Sequence, residues 1–211
     1  MKFFKRPCLV FVSAITLLAT SVCAEPMQQD NIHIRSWNSF ATNIFKLHEL
    51  TIADKKVRKT SHPGGYSGQK DFYIEEQFFV DNNLISIIQW EKENPDNMHS
   101  IEFFIYDDKG RVVRDYAAAY LPTYRNAPTQ TLVSLHQYNG DLHAFRSFDA
   151  SGYRVVERCS GTLKDEPFEM MLDEDEIAEA VGDDKGVMAS ADYQACFKGL
   201  PVEAGKYLVP Q

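Results

Sequence analysis

Between Phe72 and Ser160 the chain is cut by turn residues at short, regular intervals, and that punctuation constrains the fold more than any other feature. The clusters are Asp81-Asn82-Asn83, Asn94-Pro95-Asp96-Asn97, Asp107-Asp108-Lys109-Gly110, Asn139-Gly140 and Ala150-Ser151-Gly152. These residue types tolerate positive φ or bond their own backbone. Between them lie the runs FYIEEQFFV, LISIIQWEK, MHSIEFFIY, RVVRDYAAAY, TLVSLHQY, LHAFRSFD and YRVVERCS. They are rich in Val, Ile, Phe and Tyr, and most are of strand length. Short strands joined by tight turns imply an antiparallel meander, here of six or seven strands over residues 72–160.

The faces can be read in part. In MHSIEFFIY, His99, Ile101, Phe103 and Ile105 form the better core face. LISIIQW is apolar on both faces, which predicts a central strand covered on both sides. RVVRDYAAAY has helical alanines, but it leaves an Asp-Asp-Lys-Gly turn directly and reads as a strand. FIYDDKGRVV and RSFDASGYRVV repeat aromatic-Asp-x-x-Gly followed by Arg-Val-Val, 42 residues apart. Locally they resemble the aromatic-Asp-x-x-Gly-Arg hairpins of YD-repeat shell proteins, which implies a hairpin at each place and nothing about function.

Residues 1–24 read as a secretory signal peptide. Lys2, Lys5 and Arg6 supply the positive start, and Leu9 to Ala19 an apolar core. That core is short of the roughly 20 residues a bilayer span needs. Val22-Cys23-Ala24 predicts cleavage after Ala24. Thr20-Ser21-Val22 lacks the leucine and small residue expected before a lipidated Cys23. The mature chain, residues 25–211, then forms a single α+β domain without a transmembrane segment, exported and by expectation periplasmic. Loss of three basic residues takes the formal charge from −8 to −11, a poor match for nucleic acid or an anionic membrane.

Residues 32–50 predict a helix. Ile34, Trp37, Ala41, Ile44, Phe45 and His48 recur at helical spacing, an apolar stripe suited to covering a sheet. The basic run Asp54 to Lys59 and the Gly-rich Thr60 to Gly68 read as solvated chain and a loop. The glycines match neither a P-loop nor a dinucleotide fingerprint, and nothing else in the sequence implies a cofactor. Residues 161–211 form an acidic stretch and a C-terminal clasp. Asp165 to Asp184 holds ten acidic residues, with a short helix expected in LDEDEIAEAV. Asp173 and Asp175 fit the first and third positions of a calcium loop, but Ile177 and Ala178 fall where a ligand and the turn glycine belong.

Cys159 and Cys196 are the two cysteines of the mature chain, and an even pair in an exported protein predicts a disulfide across the acidic stretch. Among the histidines one pair is placed by the sequence. With Asn139-Gly140 as the two-residue loop of a type I′ hairpin, Tyr138 opposes Asp141 and His136 opposes His143. Two imidazoles on one face are candidate metal ligands, with Asp141 nearby and His99 or Glu102 as possible third donors. Ser134 shares the His136 face, but no Gly-x-Ser-x-Gly elbow or triad can be drawn.

Three function classes follow. The first is a non-enzymatic envelope protein that binds a partner protein or an apolar ligand on a sheet face, suggested by Tyr66, Phe72, Tyr73, Phe78 and Phe79. The second is an enzyme using His62, His99, His136 and His143. The third is a metal-binding accessory protein. A deep polar pocket favours the enzyme, and an exposed face or groove the binder.

Overall fold

The computed structural model describes residues 32–120, 128–182 and 186–211. Residues 1–24, expected to be a signal peptide, and the expected cleavage site lie outside them. Among the described residues one antiparallel sheet runs in simple sequence order: β1 (Val57–Tyr66), β2 (Gln69–Val80), β3 (Asn83–Glu91), β4 (Met98–Tyr106), β5 (Val112–Ala119), β6 (Gln130–Asn139), β7 (Leu142–Phe148), β8 (Arg154–Leu163) and β9 (Glu166–Asp173). The helices are α1 (Ile32–Ile52), α2 (Glu174–Ala180) and α3 (Ala191–Phe197).

The seven apolar runs seen in the sequence are β2 to β8. The two further strands, which correct the expected six or seven to nine, are the edges. β1 is the Gly-rich segment expected to be a loop, and β9 lies in the acidic stretch. Edge strands bear one free row of backbone groups and accept proline and charge there, so their composition hides them. In β1, Gly64 and Gly65 are needed for space. A Cβ at Gly65 would stand 2.0 Å from the Gln69 carbonyl oxygen, and one at Gly64 would stand 2.4 Å from the Tyr73 ring. In β9, Phe168, Met170 and Leu172 alternate inward with Glu169 and Met171 more exposed.

The repeated aromatic-Asp-x-x-Gly motif makes the same turn twice. Asp107 Oδ1 accepts from the Lys109 and Arg111 amides at 2.9 Å, and Asp149 Oδ1 accepts from the Ser151 and Tyr153 amides at 2.9 Å. Gly110 and Gly152 take the left-handed conformation at φ 73° and 89°, which glycine adopts without strain.

α1 lies across β4, β5 and β6 with the stripe read from its sequence. Ile34, Ala41, Ile44 and His48 are buried, joined by Phe40, which packs edge-on against Tyr116. Beneath them sit Ile88, Ile101, Phe103, Tyr116, Val133 and Phe148, all buried. Each such side chain contributes about 1.5–3 kcal/mol on leaving water. The core face of β4 is as expected. β3 is not: Ser86 and Ile88 face the core, but Ile85 and Ile87 are only half-buried, because α1 covers one face alone.

α3 and the turns after it cover the other end of the same face. Cys159 in β8 is bonded to Cys196 in α3, with Cα atoms 5.9 Å apart, as the cysteine count predicted. Beside the disulfide lies a buried polar knot. Arg146 Nε donates to Glu157 Oε1 at 2.5 Å, Arg146 Nη1 donates to the Leu200 and Pro201 carbonyls, and Arg146 Nη2 donates to the Tyr193 hydroxyl. Tyr193 donates in turn to Glu157 Oε2 at 2.7 Å, and Arg154 Nη1 donates to Oε1 at 2.8 Å. Burial, then the bond to Glu157, pushes the Tyr193 phenol up to about 12. α2 starts in a full capping box, Asp173 with Glu176, and buries Ile177. No described helix is long and apolar enough to cross a membrane.

Candidate functional site

The side chains of β2 to β8 that point away from α1 and α3 make a second face, and its polar groups are ordered. On one side a ladder crosses four strands. Thr60 donates to Gln77, Gln77 and Gln89 donate to the two oxygens of Glu75, and Ser100 donates to Gln89 Oε1 at 2.9 Å. In the middle, Ser147 donates to Ser134 at 2.9 Å in the row that continues to Asp115.

Next to that row three side chains from three strands are joined end to end. His136 Nε2 stands 2.5 Å from Asp115 Oδ2, and His136 Nδ1 stands 2.9 Å from His143 Nε2. The imidazole planes lie within 10° of each other, edge to edge, with centroids 5.2 Å apart. Tyr138 stacks on the outer side of His143 at 4.6 Å, and the Arg111 guanidinium lies 4.4 Å from the Tyr138 ring centroid. Phe145 closes the flank.

The hairpin that brings the histidines together differs from expectation. Asn139 pairs with Leu142, Tyr138 with His143 and His136 with Phe145, so the loop is Gly140-Asp141. Gly140 has φ 60° while Asp141 stays out of the left-handed region, the pattern of a type II′ turn rather than type I′. Asn139 is kept in the strand because its side-chain amide donates to the Ala195 carbonyl of α3 at 2.9 Å. The correction advances the partner of each β6 residue by two positions. Faces are set by parity, so the histidines still share one, as diagonal neighbours rather than directly opposed.

That geometry decides which atoms are free. With Asp115 ionised, His136 donates to it through Nε2 and accepts from His143 Nε2–H through Nδ1. Both nitrogens of His136 are then engaged, and no described residue bonds His143 Nδ1. The His143 imidazole is held below its ordinary value by burial and then by His136. Glu102, on the same face, has its carboxyl pushed up by loss of solvent, then by the Asp115 and Glu75 carboxylates.

The remaining residues proposed from sequence lie apart. His62 is exposed opposite Glu75 in the edge pair. His99 is buried in a separate aromatic group with Tyr66, Phe72 and Tyr73, where its Nε2 meets the Tyr66 hydroxyl. Phe78 packs under His48 in the core, and Phe79 lies under Arg58. Asp141 is in the turn, and Glu102 is two strands from His136. Among the described residues no group of three or more His, Cys, Asp or Glu is placed to hold a metal ion. Asp115 and Arg111 were missed by sequence reading. Asp115 was legible as a lone acid in an alanine-rich strand, but only the sheet order shows that it meets His136.

No family model matches the chain, and no curated protein matches it. Among solved structures it is similar to a DUF3836 family protein from Parabacteroides distasonis, 11% identical over 59% of this chain and 96% of that one, with a TM-score of 0.23. A likeness that slight carries no argument about fold or function.

Proposed function

We propose that this is an exported, periplasmic, non-enzymatic protein that binds a partner protein through the sheet face opposite α1. One observation carries the reading. The described helices and the C-terminal turns pack on one face, while the other holds a prearranged polar array with an acceptor nitrogen left over. Hydrogen-bonding groups fixed by their neighbours lose little freedom on binding, which favours affinity. The mixture on this face, Phe104, Phe145 and Val156 among Glu75, Asp115 and His143, suits a protein surface better than an apolar ligand.

The test is a photoreactive amino acid placed in cells at Phe145 or Ser160, and for comparison at Lys46 on the outer side of α1. The expected result is a discrete adduct from the sheet positions alone, on a chain that begins at Glu25. Adducts from Lys46 alone, or from no position, contradict the proposal. A product that retains Met1 contradicts the export part of it.

A further inference from the structure

A second docking surface lies at the edge strand β9, and it is made of backbone. The loop between β8 and β9 is Lys164-Asp165, with φ 55° and 68°, the pattern of a type I′ turn. Such a turn closes on a hydrogen-bonded pair, here Leu163 with Glu166, and the bonding then alternates along the ladder. Glu166, Phe168, Met170 and Leu172 therefore turn their backbone groups toward β8, and Pro167, Glu169, Met171 and Asp173 turn theirs outward. Two residues agree with that phase. Pro167, which has no N–H, falls on the outward row. The outward amide of Asp173 donates to Glu176 Oε2 at 3.0 Å in the cap of α2.

The carbonyls of Pro167, Glu169 and Met171 and the amides of Glu169 and Met171 remain. No described residue bonds any of them. α2 leaves the row open, because it packs on β8 and β9 from the covered face and buries Ile177 in the core. The other edge, β1, shows the contrast. Its register breaks between Gly64 and Tyr66, next to Pro63, and a bulge with a proline blunts an edge against pairing. β9 pairs with β8 through eight successive residues without a break. Its side chains also sort by face. Glu169, Met171 and Asp173 stand exposed on the open side, while Phe168 and Met170 are half-buried on the covered side.

We propose that β9 takes up an extended segment of a partner protein as one further antiparallel strand, with basic residues alternating with apolar ones. The backbone row defines the site, and charge selects the occupant. Residues of an antiparallel newcomer that bond Glu169 and Met171 lie on the same open side as those two. There Glu169 and Asp173 favour Lys or Arg, and the edge stays net acidic although Arg158 pairs with Glu169. The alternate residues of the newcomer meet Phe168 and Met170 on the covered side and are apolar. The β9 of a second copy does not suit the site, because it would set carboxylates against carboxylates. The site consists of main-chain groups at the edge and stands independently of the sheet-face reading.

The experiment is NMR titration of the wild-type chain, residues 25–211, with a capped hexapeptide that alternates lysine and valine. Two further forms carry N-methyl groups on the lysine amides or on the valine amides, with the charge unchanged. The plain peptide and the valine-methylated form are expected to bind and to shift the Glu169 and Met171 amides. Near saturation, hydrogen exchange at those two amides is expected to slow by about an order of magnitude. The lysine-methylated form is expected to bind about tenfold or more weakly, since its N–H row toward β9 is gone. Equal binding of the two methylated forms would mean charge attraction alone and overturns the proposal. No binding in the millimolar range overturns it as well, as does association of the chain with itself through β9. Shifts confined to His143 and its neighbours overturn it and leave the sheet-face reading standing. Every arm uses the wild-type chain, so no outcome depends on whether a variant folds.

Discussion

Two charged clusters occupy opposite faces of one sheet and share only β7, and they differ in kind. Arg146, Glu157 and Tyr193 form a closed set on the covered face, with every carboxylate oxygen matched by a donor. Asp115, His136 and His143 form an open set on the other face, one strand over, with a nitrogen to spare. The closed set fastens the C-terminal segment to the sheet in company with the disulfide. The open set fastens nothing but itself. A polar cluster whose valences are all filled is architecture, whereas one that ends in a free acceptor can still meet a ligand or a proton.

The sharpest way to break this contrast is Glu157→Ala. It strands a buried guanidinium and the Tyr193 hydroxyl, so a loss of about 3–5 kcal/mol is expected in denaturant unfolding. A loss under about 1 kcal/mol would put the closed set in the same class as surface pairs. Cys196→Ala comes next. It opens a loop of 37 residues, for which the chain-entropy account gives about 4 kcal/mol at most. Two freely alkylated thiols in protein prepared without reductant would contradict the bond itself.

Acidification gives a smaller and graded effect. His48, His99 and His143 are each held below the ordinary 6.5, first by burial, so each favours folding while neutral. That contribution is complete above 6.5 and is lost as pH falls below it toward the depressed folded values. Glu102 works oppositely. Its raised folded value disfavours folding as pH rises above 4.5, so acid restores stability through that window. Three groups outweigh one, and the melting temperature is expected to fall between about pH 7.5 and pH 5.5. A rise over that interval would contradict the depressed histidine values. Smallest of all is His143→Ala, expected to change stability by about 1 kcal/mol or less while abolishing adducts at the neighbouring Ser160.

The sequence carried the middle of the sheet well, because β2 to β8 are apolar runs bounded by turn residues whose backbone preferences are strong. It carried the edges poorly. Pro63, Gly64 and Gly65 in β1 and Glu166, Pro167 and Glu169 in β9 are tolerated only where a strand has one neighbour, a fact of tertiary structure. The stripe of α1 was legible as periodicity, whereas the side of β3 it leaves open was not, since Ile85 and Ile87 look as apolar as Ile88. The histidine pair was legible through parity alone. Its register depended on Asn139 being held by α3, and its third member on the placement of β5 beside β6. The Arg146–Glu157 knot left no local trace, because two charged residues in strands of alternating polarity look like solvent-facing ones.

The most direct test of the contrast is the titration of His143, followed by nitrogen-15 NMR in the wild type and in His136→Gln. Burial and the neighbouring His136 imidazole both hold His143 below its ordinary value, so its midpoint should lie below 6.5 in the wild type and move upward when that imidazole is removed. A midpoint at or above 6.5 that does not respond to His136→Gln would mean that the rings titrate independently, and the open cluster would then be a pair of ordinary surface histidines.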